Sequence, residues 1–133
     1  MKYIKAYAYY HHFENYQVYF MGHSAGAVIG LIHAYKYPEI RKVLLINPPL
    51  KFTKQETLIA LIKEGITNYE KGIMNVVLGE KDYSARETES IVAEHELRLK
   101  LNAIKGADHN FKGELKLFME LPDVFFTNKW NSH

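Results

Sequence analysis

Four short apolar runs, set apart by stretches with helical spacing, constrain this chain more than any other feature. "QVYFMG" at 17–22, "KVLLINP" at 42–48, "IMNVVLG" at 73–79 and "LKLNAIKG" at 99–106 are rich in valine, isoleucine and leucine, and each closes on Gly, Asn or Pro. They are too short for buried helices and read as strands buried on both faces. Between them, Ala25 to Tyr35 sets Val28, Ile29, Ile32 and Tyr35 at helical spacing. Thr53 to about Gly65 opens with Thr53-x-x-Glu56, and Ser84 to about Leu97 opens with Ser84-x-x-Glu87. Both openings have the capping-box pattern, in which the hydroxyl accepts from the third helical N–H and the glutamate reaches back to the cap. Lys2 to about Asn15 sets Ile4, Tyr7, Ala8 and His11 on one side and reads as a further helix. Strands alternating with helices give an α/β fold on a mostly parallel sheet.

Successive right-handed crossovers place the three connecting helices on one face of such a sheet, and the amino-terminal helix is expected to join them. The other face falls to "ELKLFMELPDVFFTNKW", which Pro122 is expected to divide in two. The expected architecture is a three-layer α/β/α arrangement on about four strands. At 133 residues the chain is read as one domain, residues 1–133.

Composition removes several classes. A net charge of +2 with both signs interspersed leaves no basic footprint for nucleic acid. The absence of cysteine excludes disulfides, thiolate metal sites and a cysteine nucleophile. No run is long enough to span a membrane, and "MKYIKAYAYYHHFENYQ" lacks the unbroken apolar core of a signal peptide. A soluble, cytoplasmic protein is the expectation. No cofactor or metal is called for: His11-His12 lacks a further ligand at helical spacing and reads as an exposed helix face. The stripe Tyr3, Tyr7, Tyr10 reads as a packing or contact face.

The chemistry centres on Gly22-His23-Ser24-Ala25-Gly26, which fits G-x-S-x-G between a strand and a helix. A turn that tight forces the serine into a strained backbone conformation and lifts its oxygen clear of the sheet edge. Side chains at 22 and 26 are expected to collide with the neighbouring strand and helix. The Ala25 N–H lies at a helix start, directed to where an oxyanion would form. Serine needs a base, and the base an orienting acid, both on loops at the carboxyl ends of later strands. Asp82 follows "NVVLGEK" and His109 follows "LNAIKGAD". Glu80 is a competing acid whose alternation puts it on the other side of the strand end, and Asp108 is too close in sequence to orient its neighbour's ring. His23 reads as a packed residue. Bland readings stay open: Ser24 as a small turn residue in a nucleotide-binding-like loop, Asp82 as a helix-approach residue, His109 as a solvated loop histidine.

"MGHSAGA", "LLINPP", "VVLGEKD" and "IKGADHNF" resemble the carboxyl-terminal half of the α/β-hydrolases, and within them small bacterial esterases and acyl-peptide-type serine hydrolases. The likeness runs from about Gln17 to about Phe118. It implies Ser24 as nucleophile, Asp82 as acid, His109 as base, the Ala25 N–H as one oxyanion donor, and a small-molecule ester as substrate. The family has several strands before its nucleophile and a second oxyanion donor on one of their loops. Only 23 residues precede Ser24, with no H-G-G or H-G-x segment among them. The chain is therefore expected to be a truncated version of that fold. A catalytically weak or inactive remnant, working as an oligomer or as half of a split protein, is the alternative. A homodimer, or a complementary amino-terminal half, is the expected partner.

Overall fold

The structure, a computed structural model, describes residues 1–11, 16–50 and 56–126, apart from the side chains of Tyr3, Tyr7, Tyr9 and Tyr10. The elements in chain order are α1 (Lys2–Tyr10), β1 (Val18–His23), α2 (Ala25–His33) continued by a 3₁₀ turn (Ala34–Lys36), β2 (Ile40–Ile46), α3 (Glu56–Asn68), β3 (Met74–Gly79), α4 (Ala85–Glu94), β4 (Leu99–Ile104) and α5 (Leu115–Phe126). The four strands form one parallel sheet in the order β1-β2-β3-β4. The expected alternation and the three-layer arrangement are both present.

Strand alternation divides the core in two. Val43, Leu45, Val76 and Leu78 point to one face and meet Ala27 and Leu31 of α2, Ile62 of α3 and Val92 of α4. Leu44, Ile46 and Val77 point to the other and meet Leu121 and Phe125 of α5, with Phe111 beside them. Leu44, Leu45, Ile46, Val76 and Val77 are fully buried, each contributing about 1.5–3 kcal/mol relative to exposure. The fully buried reading holds for β2 and β3 and fails for β1 and β4. Tyr19, Lys100, Leu101 and Ala103 are exposed because those strands lie at the two sheet edges.

Three helix expectations are corrected. Gly65 does not end α3, which runs on to Asn68. A Cβ at Gly65 would strike the backbone of Leu31 and Ile32, so this glycine lets α3 and α2 approach closely. Ser84 precedes α4 but its hydroxyl makes no cap hydrogen bond, and α4 ends at Glu94 rather than near Leu97. Pro122 lies inside a continuous α5 and does not divide it. The lost N–H and the crowding at the carbonyl four residues back are tolerated because Leu121 and Phe125, both nearly fully buried, hold the helix against the sheet.

At the amino end, Met1 packs against the α2–α4 side of the core, and Lys5 forms an ion pair with Glu39 at 2.6 Å ahead of β2. Tyr69 donates its hydroxyl proton to the Ile40 carbonyl at 3.2 Å, and burial pushes its phenol up to about 12. The Thr53 capping box, the stretch of α1 beyond residue 11, the tyrosine stripe's side chains and His12 lie outside the described residues.

Candidate active site

The site lies where β1, β3 and β4 end. Ser24 joins β1 directly to α2 with φ 58° and ψ −122°, a sparsely populated conformation for a residue with a Cβ. Surrounding backbone bonds hold it there. The Ser24 N–H donates to Ile46 O at 2.9 Å, and the Ser24 carbonyl accepts from Ala27 N at 3.0 Å. The turn is tight enough that a Cβ at Gly22 would come within 2.5 Å of Gly26 O. Gly26 was expected to need the same relief and does not: a Cβ there meets no atom within 4 Å. The close approach is made by Gly22 against the Gly26 backbone, one glycine rather than two.

The Ser24 hydroxyl makes no helix-cap bond. It lies 2.8 Å from His109 Nε2 instead. On the far side of the ring, His109 Nδ1 lies 2.9 Å from Asp82 Oδ1. A carboxylate can only accept, so Nδ1 carries the proton and Nε2 is left as the acceptor for the Ser24 O–H. The Asp82 side chain is fully buried and that of His109 is 14% exposed. The second Asp82 oxygen accepts from Ser84 Oγ at 3.0 Å, which is where the hydroxyl read as a helix cap is spent. The three residues singled out in the sequence thus meet in one hydrogen-bonded row. Ala25 is the first residue of α2, so its N–H is among those a helix leaves without an intrahelical acceptor. Glu80 is exposed beyond the end of β3, and the Asp108 carboxylate accepts from Lys112 N at 2.8 Å within its own loop. Neither orients His109.

The loops that carry Asp82 and His109 are pressed together backbone to backbone. Lys81 N donates to Ala107 O and Glu80 N to Ile104 O, each at 2.8 Å. A Cβ at Gly79 would come within 2.5 Å of Ala107 O. Two residues not assigned to the site from sequence also enter it. Asn47, fully buried at φ 48°, accepts from Gly79 N through Oδ1 at 2.8 Å. Its Nδ2 donates to the carbonyls of Asp108 at 3.1 Å and His109 at 2.9 Å. His23 Nε2 reaches the same His109 carbonyl at 2.7 Å. The only sign of Asn47 in the sequence is its place closing the second apolar run, and His23 had nothing beyond its position beside the serine. At the mouth, the exposed Tyr83 ring lies 4.9 Å from that of His109.

No protein-family model matches the chain, and no curated protein matches it by sequence. Solved structures do. A protein of unknown function from Agrobacterium tumefaciens, provisionally assigned to the α/β hydrolases, superposes with TM-score 0.67 at 18% identity, over 98% of this chain and 58% of that one. An α/β serine hydrolase homologue from Coxiella burnetii gives 0.63 at 21% identity, over 90% and 53% of the two chains. The esterase domain of a Rhodothermus marinus protein gives 0.62 at 13% identity, over 84% and 59%. The chain spans a little more than half the length of these structures. At such identities the likeness is one of fold: over the span it shares with them, this chain has the fold of the α/β hydrolases.

Proposed function

We propose that this chain is a serine hydrolase acting on carboxylic esters, and less readily on amides, through an acyl-enzyme. The observation that carries the reading is the row Ser24 Oγ, His109 Nε2, His109 Nδ1, Asp82 Oδ1, with spacings of 2.8 and 2.9 Å, built on a strained serine at a helix start. Ser24 Oγ attacks the ester carbonyl carbon while its proton passes to His109 Nε2. The oxyanion forms toward the Ala25 N–H, and Asp82 stabilises the imidazolium. Collapse breaks the bond to the leaving alcohol, which takes the proton from His109. A water then gives its proton to His109 and attacks the acyl-enzyme. The carboxylic acid leaves, and Ser24 recovers its proton. The esterases and serine hydrolases among the structural neighbours lend support to the ester class.

With Ala25 as the one assigned oxyanion donor, turnover is expected to be slow, about 10²- to 10³-fold below a hydrolase with two donors. Stopped-flow hydrolysis of p-nitrophenyl acetate checks this. A burst of p-nitrophenolate followed by slow steady turnover, with the matching anilide slower still, is the expected record. Release at the buffer rate would remove the enzymatic reading and leave the alternative of an inactive hydrolase-like chain.

A second reading, which concerns assembly, is favoured by the β1 edge. Among the described residues β1 is one of the two edge strands, and beside it runs a groove of about 650 Å³ lined by Met1, Ile4, Val18, Phe20, Ile29 and Tyr37. Open strand edges invite pairing. A second copy of the chain, or a complementary amino-terminal half, would satisfy this one. Light scattering at micromolar concentration is expected to give twice the chain mass. The mass of a single chain would exclude the second copy.

A further inference from the structure

The carbonyl of His109 is gripped twice. Asn47 Nδ2 donates to it at 2.9 Å and His23 Nε2 at 2.7 Å, from the ends of two different strands. Both assignments are forced by chemistry. Gly79 N can only donate and the carbonyls of Asp108 and His109 can only accept, so the Asn47 amide has a single satisfied orientation. For the same reason the proton of His23 lies on Nε2 when it faces that carbonyl. Asn47 is anchored on its own account, since its N–H donates to Val77 O at 2.8 Å. Its positive φ suits asparagine better than most residues. It therefore ties the end of β3, from which Asp82 hangs, to the loop that bears His109. The His23 ring adds a lateral stop, 5.4 Å from the ring of His109 and edge-on to Phe118 at 5.6 Å.

We infer that Asn47 and His23 are positioning residues that clamp the His109 backbone and so set its ring between Ser24 and Asp82. Neither touches the reacting atoms. This inference rests on the hydrolase reading above for its effect on reactivity, though not for its effect on the His109 ring. A displacement of about 1 Å in a reacting group costs on the order of a hundredfold in rate. The clamp acts on a residue whose Nε2 has one productive place, 2.8 Å from Ser24 Oγ.

The test pairs His23→Phe with His23→Gln and adds Asn47→Ala. Phenylalanine keeps the ring contacts and removes the donor. Glutamine returns an N–H the same number of bonds from the backbone. Two readouts are taken on the whole chain: the second-order rate of Ser24 modification by a fluorophosphonate, and the proton resonance of His109 Nδ1–H. The labelling step forms the P–Oγ bond, expels fluoride and passes the Ser24 proton to His109. His23→Phe is expected to slow labelling by about ten- to a hundredfold and to shift or broaden the Nδ1–H signal. His23→Gln is expected to restore most of both, with unfolding midpoints close to the parent in each variant. Asn47→Ala is expected to act in the same direction and more strongly. Should it not fold, the His23 pair alone decides. Labelling and an Nδ1–H signal both unchanged in His23→Phe would overturn the clamp. So would a loss that glutamine does not rescue. If the parent protein itself is not labelled, the hydrolase reading fails, and the clamp is decided by the resonance alone.

Discussion

Ser24→Ala is expected to bring the hydrolysis of p-nitrophenyl acetate down to the buffer rate, a loss of up to about 10⁶-fold if the parent is efficient and less if it starts slow. The variant removes one oxygen and nothing else. Alanine has the same Cβ as serine, so the backbone at φ 58° is no more strained after the change. The lost partner, His109 Nε2, belongs to a side chain that is still partly exposed, so water can replace the hydroxyl. The fold should therefore persist with an unfolding midpoint within a few degrees of the parent. That separates a chemical loss from a structural one. Residual activity above a hundredth of the parent would mean that Ser24 is not the attacking group.

Asp82→Asn is expected to lower kcat by about 10⁴-fold with little change in KM. The shape of the side chain is kept and the fully buried site stays filled. What changes is the proton inventory. An amide can turn its N–H₂ toward His109 and its oxygen toward Ser84, which now lies 3.0 Å from Asp82 Oδ2. His109 Nδ1 would then be an acceptor, Nε2 would carry the proton, and Ser24 would have no base to attack through. The remaining activity should be insensitive to the His109 clamp, because the ring would be held well but in the wrong tautomer. A drop of less than tenfold would reduce Asp82 to a packing role and reopen the reading of it as a helix-approach residue.

Much of this site was legible in the sequence because its parts sit at the ends of elements that announce themselves. Leu44-Leu45-Ile46 and Val76-Val77-Leu78 are apolar on both sides, as strands covered on both faces must be. Ser24, Asp82 and His109 each follow one of the four apolar runs, although only the run before Asp82 is covered on both faces. What was not legible depends on neighbours far away in the chain. Tyr19 and Leu101 belong to apolar runs yet are exposed, and only the sheet order makes their strands edges. Gly65 looked like a helix end because glycine is a poor helix former. Its use is the contact with Leu31, set by how α3 crosses α2. Ser84-x-x-Glu87 had the local pattern of a cap, but the buried carboxylate two residues before it claimed the hydroxyl. Asn47 is the clearest case. Its partners lie 32, 61 and 62 residues away, so no local spacing could reveal a bridge between the end of β3 and the loop that bears His109.

The comparison structures extend well beyond the span they share with this chain, and β1 is an edge among the described residues. Neither fact bears on which atom attacks. The proposed chemistry stands or falls on Ser24 being a nucleophile activated by His109. Intact-mass spectrometry after incubation with a fluorophosphonate, followed by peptide mapping, measures this with no assumption about substrate. A single adduct on the peptide containing Ser24, absent in His109→Ala, is expected. An unmodified protein after prolonged incubation, or an adduct on any other residue, would contradict it.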